Sequence, residues 1–97
     1  MTTLSILIGN TDNRLTQREW SEYIHDVADL IIDLDYQVHF RGYSDPSEPW
    51  QNACWVVDAP DGILVVQSQL RKLAYAYHQE SIALVVGETT FIQPKGE

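Results

Sequence analysis

YQVHFRGYSDPSEPWQNACWVV, residues 36–57, decides the fold. Tyr36, Val38 and Phe40 alternate with Gln37, His39 and Arg41, the two-residue period of a half-buried strand. Ser44 to Pro49 is rich in turn formers, and a second strand runs from Trp50 towards Val57. Two strands across so short a turn make an antiparallel hairpin. A loop symmetric about residues 46 and 47 sets Phe40 against Ala53, Val38 against Trp55 and Tyr36 against Val57, an apolar set throughout. The other face then pairs Arg41 with Asn52, His39 with Cys54 and Tyr43 with Trp50, with Gln37 beside Val56. A one-residue slip would mix both faces, which register normally avoids. Trp55 is therefore expected in the core, and Trp50, Asn52 and Cys54 on the opposite surface.

The flanking elements are read outward from this hairpin. Leu4 to Ile8 is a β-branched run closed by Gly9, a strand. "GNTDN" follows as a loop whose side chains suit Asx turns and capping. Thr16 with Glu19 fits a capping box, and Leu15 with Trp20 a hydrophobic staple. Trp20, Tyr23, Ile24, Val27, Leu30, Ile31 and Leu34 then recur at helical spacing. Asp58 and Pro60 mark the start of a second helix, with Val66, Leu70, Leu73 and Tyr77 as its apolar stripe. "SIALVV" (81–86) is a strand, and "TTFIQ" (89–93) either extends it past Gly87 or forms a short fifth one. The order βαββαβ predicts an α+β ferredoxin-like sandwich, two helices on one face of an antiparallel sheet and the other face open. Residues 1–93 form one domain in this reading, and 94–97 a flexible tail.

The 97 residues carry six basic and fourteen acidic side chains, a net charge of −8 that argues against binding nucleic-acid phosphates or anionic lipid. A lone cysteine forms no internal disulfide. The N-terminus has no signal-peptide pattern, and no apolar run reaches the ~18 residues of a membrane span. A cytoplasmic protein without a membrane partner is expected.

The open sheet face is the first candidate site: Gln37, His39, Arg41, Tyr43, Trp50, Asn52 and Cys54. Aromatics beside arginine are the composition of a protein-interface centre. The alternative is a plain solvated face. His39 and Cys54 could act as base and nucleophile, but the sequence shows no orienting carboxylate, and no catalytic residue is assigned. The second candidate is an acidic ridge on the first helix: Glu19, Glu22, Asp26, Asp29 and Asp33, spaced by three or four. Like charges at that spacing oppose the helix, which points to a basic partner or nucleic-acid mimicry, with a solvated face that serves solubility alone as the equal alternative. No metal and no cofactor is expected: His25, His39 and His78 are scattered, and "DNRL" lacks the alternating acids of a calcium loop.

"GNTDNRLTQREW", "PWQNACW" and "HQESIA" resemble a family of small proteins of actinobacteria and their phages to which no activity is attached. The resemblance implies a cytoplasmic accessory protein, phage-encoded and acting on a host factor, and adds no catalytic residue. The leading expectation is a non-catalytic binding module, a homodimer through the open face, acting on a basic or neutral protein. The alternatives are a dimeric α/β barrel enclosing a small-molecule or enzyme site lined by His39, Arg41, Trp50 and Asn52, and an acidic nucleic-acid mimic.

Overall fold

The computed structural model describes residues 2–45 and 49–96. Residues 46–48, the centre of the expected turn, and 97, the end of the expected tail, lie outside them. Six elements run in the order β1 (Thr2–Gly9), α1 (Gln17–Asp33), β2 (Val38–Tyr43), β3 (Asn52–Asp58), α2 (Leu64–Ala76) and β4 (Ala83–Glu88). The strands form one antiparallel sheet in the order β2-β3-β1-β4, and the fold is the ferredoxin-like βαββαβ sandwich. β4 ends at Glu88 and residues 89–96 carry no regular structure, so "TTFIQ" neither extends the strand nor forms a fifth one.

Leu4, Ile6 and Ile8 of β1 and Ala53, Trp55 and Val57 of β3 line the helix side of the sheet. Trp20, Tyr23, Val27 and Ile31 of α1, with Val66 and Leu70 of α2, close over them. The period-2 and period-3.6 patterns thus meet in one core. The capping box forms as read: Glu19 N–H donates to Thr16 Oγ1 at 3.1 Å, and Thr16 N–H to Glu19 Oε1 at 2.9 Å. Leu15 and Trp20, the staple, are both buried.

Three expectations need correction. The second helix begins at Leu64, not near Asp58: Ala59–Gly62 form a turn, with the Gly62 N–H on the Ala59 carbonyl and Gly62 at φ +82°. That left-handed position ends any helix proposed across it. Tyr36 lies outside β2 and turns its hydroxyl to Asp61 Oδ1 at 2.6 Å, which pins this turn. The hairpin register also differs. Arg41 pairs with Trp55, Gly42 with Cys54, Tyr43 with Ala53 and Phe40 with Val56, while Val38 pairs with Val57 across a bulge at His39. Ser44 sets this: its N–H reaches the Asn52 carbonyl at 2.9 Å and its Oγ takes the Asn52 N–H at 3.0 Å, so the strands meet three residues away from the symmetric-loop register.

Candidate functional site

The bulge changes which side chains share a surface. A residue inserted into one strand leaves neighbours pointing the same way and reverses the alternation beyond it. Phe40, expected in the core, therefore stands on the open face opposite Val56, 56% exposed. Arg41 and Tyr43, expected on the open face, stand on the helix side of an edge strand that the helices leave bare. Trp55 is buried as expected, and Cys54 and Asn52 keep the opposite surface, so the division of "WQNACW" between two faces holds while its partners change. Trp50 precedes β3 and is about half exposed, its carbonyl accepting from Ser44 Oγ. Gln37 precedes β2, and its carbonyl accepts the Asp58 N–H at 2.9 Å.

Cross-strand pairing defines the open face. β1 contributes Thr3, Ser5 and Leu7; β3 contributes Cys54, Val56 and Asp58; β4 contributes Ala83, Val85 and Gly87; β2 contributes Phe40 and Gly42. The Phe40 ring lies across Gly42, where a Cβ would sit 2.7 Å from Cζ, so glycine is needed for the ring to lie flat. Around it is a shallow hollow of about 300 Å³ that includes Leu7, Asn52 and Cys54.

Asp58 is the one charged residue among these paired positions, and it is buried. His39 Nε2 lies 2.8 Å from Asp58 Oδ1, an ion-pair distance. The contact is not an aligned hydrogen bond, and that oxygen has no other partner. The orienting carboxylate missing from the sequence reading therefore exists. Its signal in the sequence is Asp58 itself, which closes the apolar strand β3 instead of opening the second helix. Cys54, however, pairs with Gly42 rather than His39, and burial pushes its thiol up from the usual cysteine range. The His39–Cys54 couple is not assembled.

The ridge residues stay on one side of α1, but most are engaged within the chain. Glu19 caps the helix, Glu22 pairs with Arg18 at 3.3 Å, and Asp29 meets His25 at 3.3 Å. Asp26 accepts a hydrogen bond from the Tyr77 hydroxyl, whose ring stacks on Tyr23 at 4.6 Å. Asp26, Asp29 and Asp33 border a small groove against Lys72 of α2.

Among the described residues no cluster of His, Cys, Asp and Glu is placed to hold a metal ion, and no helix is long and apolar enough to cross a membrane. No protein-family model matches the chain, and no curated protein does either.

Proposed function

We propose that this chain is a non-catalytic protein-binding module that docks through its open sheet face, with a second copy of itself as the first occupant. One observation carries the reading: in a chain of charge −8, the paired positions of that face hold a single charged residue, Asp58, which is buried beside His39. A solvated sheet face ordinarily carries charge at alternate positions. Here Leu7, Phe40 and Val85 are exposed instead, with Trp50 at the margin. Two strongly acidic chains can approach only through surfaces from which charge has been withdrawn. Beyond the dimer, the acidic remainder suits a basic or neutral protein partner, in an accessory role of the kind the family resemblance implies.

The hollow over Gly42 favours one second reading, a small-molecule site enclosed between two such faces. Of the four residues expected to line it, only Asn52 borders that hollow, and Arg41 is on the other side of the sheet. Mimicry of nucleic acid loses support, because four of the five ridge carboxylates have partners in the chain.

Sedimentation equilibrium tests the proposal. Phe40→Lys places a charge on the β2 side of the face without touching the core, and weakens face-to-face pairing by on the order of 2 kcal/mol or more. A wild-type chain that is monomeric at high micromolar concentration sinks the proposal.

A further inference from the structure

The sheet has two edges, β2 and β4, and they are built differently. Edge strands expose unpaired backbone groups, and monomeric proteins guard them with charge, proline or a bulge. β2 is guarded by the bulge at His39 and by Arg41 inside the strand. β4 reads Ala-Leu-Val-Val-Gly-Glu: it pairs with β1 without a bulge and carries no charge before its last residue. Val85 and Val86 at its centre are 57% and 49% exposed.

We propose that the β4 edge pairs antiparallel with the β4 edge of a second copy, an association independent of the open-face reading. The alternation of faces restricts the register. A twofold axis through Val85, perpendicular to the sheet, sets Val85 against itself, Leu84 against Val86 and Ala83 against Gly87 of the other copy. Glu88 then meets Ile82, so no like charges are opposed. Charge on the flank is balanced: Arg71 of α2 and Glu80 both border the groove beside this edge, so each copy brings one charge of each sign.

The chain beyond β4 gives the second argument. A groove of about 490 Å³ runs between α2 and β4, and Leu70, Ala74, Tyr75, Ile82 and Leu84 form its apolar wall. Thr89 stays beside Thr3 through their hydroxyls, so the chain leaves along the line of the strand. Phe91 and Ile92 follow, 69% and 92% exposed. In the proposed register Thr89 passes Ser81 of the other copy and Phe91 passes Gln79, and both of those residues border the groove. Carried on past Thr89, which lies with Thr3 on the open face, the same alternation turns Ile92 to the helix side, so this bare apolar side chain of one copy arrives at the groove of the other. The open-face axis lies parallel to the sheet and this axis perpendicular to it, so axes that meet close a tetramer instead of a filament.

Hydrogen exchange on the full wild-type chain tests the edge without any variant. Outward amides of residues 83–88 slow at least tenfold between low and high micromolar concentration if the edge pairs. An exchange rate there that ignores concentration overturns the proposal. Val86→Lys charges the helix-side rim of the edge and leaves the open face intact. It should halve the sedimenting mass and abolish the concentration dependence, while Phe40→Lys preserves the slowing at 83–88. A folded Val86→Lys chain with the wild-type mass, or loss of the slowing in Phe40→Lys alone, also overturns it.

Discussion

Asn10 is buried at the exit of β1, where its Nδ2 donates to the Leu15 carbonyl at 3.1 Å and its Oδ1 accepts the Leu15 N–H at 3.0 Å. The same amide nitrogen reaches Gln51 Oε1 at 2.9 Å, and Gln51 in turn bonds Gln17, so one side chain ties the β1–α1 loop to the start of β3. Asp12 accepts the Arg14 N–H two residues on, an Asx turn. The polar loop was legible as capping chemistry, though the buried residue within it was not. Asn10→Ala strands two backbone groups of Leu15 and should cost about 2–3 kcal/mol in urea unfolding. Asn10→Asp keeps the acceptor, loses the donor and places a charge in the interior, so it should cost at least as much. Cys54 gives a chemical test of its surroundings. Its thiol is held above the ordinary range by burial, so little thiolate exists at neutral pH. Alkylation by iodoacetamide should be slower than for a free cysteine at pH 7 and accelerate only at alkaline pH. Fast labelling at pH 7 contradicts the assignment of Cys54 as non-nucleophilic.

Both helices end in a way no glycine announced. Asp35 at φ 57° and His78 at φ 55° take the left-handed position after α1 and α2. The Tyr36 N–H reaches the Ile31 carbonyl and the Gln79 N–H the Ala74 carbonyl, closing a Schellman motif in each case. The helices were readable from their stripes and from the Thr16 cap, but these ends were not. Asp35→Gly removes the left-handed penalty and should raise stability by up to about 1 kcal/mol, seen as a higher urea midpoint. At the other end, Thr16 hydrogen bonds hold the Glu19 carboxyl below its usual value of 4.5. A depressed carboxylate contributes stability that is complete above the unfolded-state value and is lost as pH falls through the folded one. The cap contribution should therefore be lost progressively as the pH falls below about 4.5, and Glu19→Gln should flatten that part of the pH–stability curve. A variant curve that overlays the wild type there removes the cap from acid denaturation. Two of the ridge's partners, Arg18 and His25, lie one turn from Glu22 and Asp29 on the same helix, so their i,i+4 spacing is legible in the sequence, whereas Tyr77, the residue that caps α2, reaches Asp26 only through the fold.

At the scale of the whole molecule, element order and core were readable because apolar period and topology rules agree, and Trp55 and Val57 fall where alternation puts them. The content of the open face was not readable in full. One inserted residue at His39 moved Phe40 onto it and Arg41 and Tyr43 off it, and a bulge leaves no periodic mark in the eight residues that carry it. The outcome is a surface more apolar than expected on a chain more acidic than most.

That combination fixes the sign of a salt effect. Two chains of −8 repel at long range, and the proposed contact surfaces hold almost no charge to offset the repulsion. Salt screens repulsion between exposed charges over roughly 8 Å at physiological ionic strength and leaves apolar burial nearly untouched. Self-association should therefore strengthen as sodium chloride rises from low to physiological concentration, chiefly through faster encounter. Lowering the pH towards the isoelectric region near 4.6 should act in the same direction until the Glu19 cap is lost. Capture of a basic protein partner behaves oppositely and weakens with salt, because there the long-range force is attractive. Sedimentation equilibrium across a salt series separates the two. A dimer that falls apart as salt rises has charge at its interface and cannot be held by Leu7, Phe40 and Val85.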